Sequence, residues 1–175
     1  MRHLLLLSLP CALALVGCTT IDELPTQRLG QATLRLANGL PGGTAQLLAS
    51  GSQVNISIAV VGMTPGIHGV HLHMVGSCEA PDFTSAGGHL NPGMMQHGIE
   101  NPSGSHLGDL PNLTVGSSGA GTVSATLQGT SADDLAKIFD SDGTAVVVHA
   151  GPDDYRTDPS GNSGGRIACG VLTRT

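Results

Sequence analysis

From Gly76 to Pro111 the chain runs for more than thirty residues with no usable secondary-structure period and a heavy load of Gly, Pro and Asn. Loops of that length are uncommon in compact domains and are usually functional or disordered. Something other than backbone ladders must therefore hold this one. What flanks it is strand-like. Ile56, Ile58 and Val60 alternate with Asn55, Ser57 and Ala59, and similar short runs cover Gln31 to Leu36, Thr44 to Ala49 and Gly69 to Val75. Beyond the long stretch come Leu113 to Val115, Gly121 to Gln128, Thr144 to His149 and Gly165 to Leu172. Turns at Asn38-Gly39, Pro41-Gly42-Gly43 and Ser50-Gly51 separate the first runs. Ser131 to Phe139 reads as a short helix with Ser131 as N-cap and Asp133 and Asp134 in its first turn. A second irregular stretch spans Ala150 to Gly164. Eight short strands joined by turns predict an all-β antiparallel sandwich or barrel with two long functional loops.

Composition agrees. A chain of 175 residues fits one compact domain. Long amphipathic helices need lysine in quantity, yet Lys137 is the only one. Lys and Arg number 7 against 13 Asp and Glu, a formal net charge of -6 that repels phosphate backbones and argues against nucleic acid as a partner.

The N-terminus reads as a targeting segment. Arg2 gives a positive start, Leu4 to Ala14 form an apolar run, and small residues follow at Gly17 and Cys18. The run falls short of the ~20 apolar residues of a membrane-spanning helix. Leu15-Val16-Gly17-Cys18 resembles the bacterial lipobox, in which the cysteine is acylated. The expected organisation is thus a signal peptide over 1–17, a lipidated tether over 18–29 and the domain over 30–175. The expected location is the periplasm or cell envelope, with the protein anchored in a membrane by lipid on Cys18. Thr19 after the cysteine favours the outer membrane. With Cys11 in the signal and Cys18 lipidated, Cys78 and Cys169 remain. In an oxidising compartment they are expected to pair, closing a loop worth roughly 4 kcal/mol in the chain-entropy picture. The other outcome is two free buried thiols.

Histidine is the residue that stands out. His3 leaves with the signal, and His68, His71, His73, His89, His97, His106 and His149 stay. Residues two apart on a strand share a face with Cα atoms ~6.5–7 Å apart, so His71 and His73 can converge on one ion. His149 ends the apolar run Val146-Val147-Val148 and can face the same point. His89, His97, His106 and Asp109 lie in the long loop, where metal binding would supply the missing ordering energy. Imidazole suits copper or zinc, and three imidazoles with a carboxylate suit tetrahedral zinc. His68 has the opposite strand parity to His71 and is read as structural, satisfied by backbone carbonyls. Met94-Met95 is read as filler, an exposed pair without a third sulfur.

At this point the residues match a family. Gly66-Ile67-His68-Gly69-Val70-His71-Leu72-His73, Ala86-Gly87-Gly88-His89-Leu90-Asn91-Pro92, His97-Gly98 and His106-Leu107-Gly108-Asp109-Leu110-Pro111 resemble the copper/zinc superoxide dismutases. So do Val147-Val148-His149-Ala150 and Gly161-Asn162-Ser163-Gly164-Gly165-Arg166-Ile167-Ala168-Cys169-Gly170. The likeness covers about Gln31 to Leu172, and the exported lipoprotein signal resembles that of bacterial members. It implies an eight-stranded Greek-key β-barrel, of Ig-like sandwich type, that dismutes superoxide to dioxygen and hydrogen peroxide. Copper would be bound by His71, His73, His89 and His149, and zinc by His89, His97, His106 and Asp109. His89 would be the imidazolate shared by both ions. Arg166 would guide the anion, Asp153 would link a copper-ligand histidine to a zinc-ligand histidine, and Cys78–Cys169 matches the family disulfide.

Two departures from the family pattern carry expectations. Val70 stands where a bulkier residue is usual. Lysines common in the loop before the arginine are missing, with only Arg156 between Ala150 and Gly165, which predicts weak electrostatic steering. Dimer surfaces vary in this family, so monomer and homodimer both stay open. The rival function is a lipid-anchored copper/zinc buffer or chaperone, which would need neither a shared His89 nor a positioned Arg166. A zinc hydro-lyase on His71, His73 and His149 would leave His89, His97, His106 and Asp109 without a role.

Overall fold

A computed structural model describes residues 27–127 and 132–175. The signal segment, Cys18, residues 19–26 of the tether, the last residue of the run ending at Gln128 and the Ser131 cap lie outside the described residues. Among the described residues, ten strands and one short α-helix follow in order, with a single 3-10 turn over Thr84–Ala86 in the long loop. They are β1 (Gln27–Leu36), β2 (Pro41–Ser50), β3 (Gln53–Val60), β4 (Gly66–His68), β5 (Val70–His73), β6 (Leu113–Val115), β7 (Gly121–Thr126), α1 (Ala132–Ile138), β8 (Ala145–His149), β9 (Arg166–Val171) and β10 (Thr173–Arg174).

The strands pair in the order β4-β6-β7-β3-β2-β1-β9-β8-β5, and β10 adds two residues beside β1. All these named pairs are antiparallel. Only Gly69 separates β4 from β5, so the order begins and ends on one interrupted strand and the sheet closes on itself. Counted that way, the wall has the eight strands that the sequence predicts. The connection from β3 to β4 passes over β7 and β6, and that from β7 to β8 crosses back, which makes the barrel a Greek key.

Boundaries shift at several places. Pro41-Gly42-Gly43, read as a turn, begins β2 instead, because Gly43 registers with Leu34 on one side and Val60 on the other. The run expected over Gly69 to Val75 begins at Gly66, breaks at Gly69 and ends at His73. At Gly69 the chain changes partner: its N–H donates to Gly151 and its carbonyl accepts from His149, while a Cβ there would sit 2.9 Å from that of Ser163. Met74 and Val75 donate to Gly88 and Ala86 in the long loop instead of to a strand. β1 starts at Gln27, inside the span read as tether, because Gln27 and Arg28 register with Ala49 and Leu48 and Leu29 packs on the core.

Alternation decides which residues fill the barrel and which face the loops. Val70 and Leu72 of β5 join Leu34, Leu47, Ile56 and Ile58 in the main core, as do Val146 and Val148 of β8. The intervening residues point outward. Ala145 and Val147 form a second apolar cluster with Phe83, Ala86 and Cys169, pinned by the Cys78–Cys169 disulfide with its Cα atoms 5.6 Å apart. β8 is therefore buried on both faces. The outward positions of β5 are His71 and His73, in register with Val147 and Ala145. The site thus lies between the barrel wall and the long loop.

Candidate metal centre

His71 and His73 of β5 and His149 of β8 each have one ring nitrogen tied down and the other left bare. His73 Nδ1 donates to the Gly87 carbonyl at 2.9 Å, and His149 Nδ1 donates to Gly164 at 3.1 Å. His71 Nε2 donates to Asp153 Oδ2 at 2.7 Å. The remaining atoms, His71 Nδ1, His73 Nε2 and His149 Nε2, are buried without a hydrogen-bond partner, and so is His89 Nε2. Donor atoms of these four residues all lie within 4.8 Å of one another. A hydrogen bond at one ring nitrogen fixes which nitrogen is free to ligate, so the tautomers are set for one common ion.

A second set gathers on Asp109. Its Oδ2 accepts from the backbone N–H groups of Gly98 and His106, at 2.8 and 3.0 Å. Its Oδ1 faces His97 Nδ1 at 3.0 Å, His89 Nδ1 at 3.1 Å and His106 Nδ1 at 3.2 Å. His106 Nδ1 is 3.4 Å from His89 Nδ1. Donors around a tetrahedral zinc with bonds of about 2.0 Å stand about 3.3 Å apart, so these spacings fit that ion. Ligand atoms of His71, His89, His97 and Asp109 also lie within 4.8 Å of one another, but the bare Nδ1 of His71 is shared with the first set. His89 thus turns Nδ1 to one set and Nε2 to the other.

Asp153 ties the sets together by accepting from His71 Nε2 and, at 3.0 Å, from His97 Nε2. It is held by Asn112, whose amide exchanges two 2.9 Å bonds with the Asp153 backbone, and by the Tyr155 N–H. Gly161 closes over it with φ +61, where a Cβ would overlap the carboxylate. His68 stands apart: Nδ1 faces the His149 carbonyl at 2.8 Å and Nε2 that of Thr64 at 3.0 Å.

Burial governs the charge states. Desolvation pushes His73 down to about 2, His149 to about 3 and His89 to about 4, and it lowers His71 despite Asp153. For His97 desolvation is outweighed by Asp109 and Asp153, which raise it to about 9. Both carboxyls resist burial through their histidine bonds and are held well below the usual carboxylate range. His71, His73, His89 and His149 are thus neutral imidazoles beside ionised carboxylates, the states that metal binding requires, whereas His97 must release its proton before it can ligate.

Above His73, His89 and His149 opens a cleft of about 680 Å³. Arg166 lies in its wall, donating from Nη1 to the Phe83 carbonyl and from Nη2 to that of Gly87, both at 2.6 Å. Gly87 O therefore holds His73 and Arg166 together. The cleft also contains Lys137 of α1, with Asp140 and Asp142 just beyond it and Asp158 of the second loop. Sequence reasoning missed these residues, since no local period connects α1 with the long loop. Asn112 and Tyr155 were missed for the same reason.

The comparisons bear on this geometry directly. The family model for copper/zinc superoxide dismutase (SODC) matches residues 42–172. The chain belongs to the copper/zinc superoxide dismutase family. It is 39% identical over 189 residues to the superoxide dismutase-like protein YojM of Bacillus subtilis, covering 98% of this chain and 96% of that one. It is 42% identical over 136 residues to copper–zinc superoxide dismutase 1 of Aquifex aeolicus, with 74% and 79% covered. Among solved structures, the Cu/Zn superoxide dismutase from Brucella abortus superposes with a TM-score of 0.65 at 25% identity, over 85% of this chain and 100% of that one. Copper and zinc are the metals of this family, and the bare nitrogens and the Asp109 cluster of this member suit them.

Proposed function

We propose that the chain dismutes superoxide to dioxygen and hydrogen peroxide at a copper centre joined to zinc through the His89 imidazolate. The observation that carries this reading is the division of His89, with Nδ1 3.1 Å from Asp109 Oδ1 and Nε2 buried and bare among His71, His73 and His149. His71, His73, His89 and His149 would hold copper, and His89, His97, His106 and Asp109 zinc. Bound copper supplies the one-electron redox chemistry and zinc a fixed positive charge.

The chain's own residues do the rest. Arg166, pinned by two carbonyls, presents its charge to an anion in the cleft without freedom to fold over the ligands. His89 Nε2 takes up a proton in the half-reaction that releases dioxygen and returns it in the half-reaction that forms peroxide. A second proton comes from water, so two superoxide and two protons give one dioxygen and one peroxide. Asp153 keeps His71 and His97 oriented throughout. On the sequence of residues 1–29, the protein works in the periplasm or cell envelope, tethered by lipid on Cys18, with the outer membrane the favoured one. A homodimer is compatible with this reading.

The test is dismutation by the copper- and zinc-loaded protein beside a His89→Ala variant. Turnover that falls by about two orders of magnitude or more in the variant supports the reading. Tight binding of both metals by the parent without dismutation would make the chain a copper/zinc buffer or chaperone.

A further inference from the structure

Met95 of the Met94-Met95 pair shares the cleft with a methionine distant in sequence, Met74. Met95 and Met74 line the same cleft, each about half exposed, while Met94 points to solvent. Met74 directly follows His73. Its Sδ lies 3.9 Å from the position of a Cβ built on Gly88, which precedes His89. Met95 is held over the loop by Asn91, which donates from Nδ2 to its carbonyl at 2.8 Å and accepts from its N–H at 2.9 Å. At the floor, His73 Nε2 and His149 Nε2 are bare and their side chains almost wholly buried.

The charge of the cleft points the same way. Asp140, Asp142 and Asp158 outnumber Lys137 and Arg166, and the whole chain carries a formal -6. In the metal-free protein such a mouth draws cations rather than anions. Thioethers favour Cu(I), do not titrate, and hold it loosely enough to pass it on to imidazole. Once copper joins zinc beneath the mouth, the charge of the two ions together dominates the local field and reverses its sign. A mouth that suits cations while empty therefore comes to suit an anion when filled.

We infer that this cleft is the copper-acquisition route, with the Met74 and Met95 thioethers as a transient Cu(I) site and Asp140, Asp142 and Asp158 as the attracting rim. The inference rests on the proposed copper site of His71, His73, His89 and His149 as the destination. The transfer is a ligand exchange, thioether for imidazole, with no change of oxidation state.

The experiment uses zinc-loaded, copper-free protein and Cu(I) buffered in a chromogenic cuprous chelator without oxygen. Uptake is followed by loss of the chelator colour, and Cu(II) uptake is measured in parallel. The variants are Met74→Leu, Met95→Leu and the pair, since leucine keeps the volume. The expected result is Cu(I) uptake slowed by about ten-fold or more in the double variant, with the same final copper content and unchanged Cu(II) uptake. Asp142→Asn should slow both oxidation states alike, an effect erased by salt. Equal Cu(I) rates in parent and double variant, with both reaching one copper per chain, would overturn the inference and leave the copper site standing. A parent that takes up no copper in either oxidation state would overturn both.

Discussion

Asp153 shows how much one carboxylate can specify. It accepts from His71 and His97, members of different ligand sets, and is itself fixed by Asn112 and the Tyr155 N–H. In Asp153→Asn one acceptor becomes a donor, and one imidazole must exchange its tautomer and turn the wrong nitrogen to the metal. Affinity for at least one metal is expected to fall by about 10- to 100-fold, measured by chelator competition for each ion. The histidines also set a pH dependence. His71, His73, His89 and His149 have folded values depressed below the unfolded value of about 6.5, so the unfolded state binds more protons once pH drops beneath it. Their contribution to stability is intact above about 6.5 and is lost as pH falls below it, through about 4 for His89, about 3 for His149 and about 2 for His73, at about 1.4 kcal/mol per proton per pH unit. His97, raised to about 9, acts oppositely: its contribution is full below about 6.5 and disappears as pH rises through about 9. Denaturant unfolding of the metal-free protein at about pH 5, 6 and 7 should show stability rising with pH across that range, and a flat profile would contradict these assignments.

At the scale of elements, the disulfide and the Gly87 carbonyl make the long loop part of the wall. Cys78 and Cys169 are 91 residues apart in sequence, and removing the bridge is expected to cost about 2–5 kcal/mol in denaturant unfolding. Because Gly87 O holds both His73 and Arg166, the reduced protein should also lose dismutation to a greater extent than it loses copper. Measuring both quantities on one reduced sample separates the effects. Much of this was legible in the chain. His71 and His73 share a strand face, and the alternation of Val70 and Leu72 with them tells which face is outward. The short strands from Gln31 to Val61 announced themselves through turns and alternation. The start of β1 at Gln27 did not, since Gln27, Arg28 and Leu29 show no period of their own and are recruited by β2. Nor could Lys137 be placed near Arg166, because only the Greek-key crossover from β7 to β8 carries α1 to the mouth of the cleft.

The whole molecule is acidic, and its reaction partner is an anion. With three carboxylates against two cations at the cleft, attraction depends on the bound metals and Arg166 at short range rather than on a long-range field. The rate constant kcat/KM should therefore fall only weakly as ionic strength rises through the range where the Debye length shrinks from about 30 to 10 Å. A steep decline would show that Lys137 outweighs its acidic neighbours. Metal should also stabilise the fold, and chelation should lower the melting temperature, since ligand binding to the folded state alone adds to its stability.

The centre sits outside the barrel, between its wall and two loops, and that placement separates two events in time. Leu34, Leu47, Ile56 and their neighbours close the core without enclosing an ion. A chain of this design can close its barrel first and take up its ions afterwards. When activity begins is then set by the supply of metal in its surroundings, not by the pace at which the polypeptide folds.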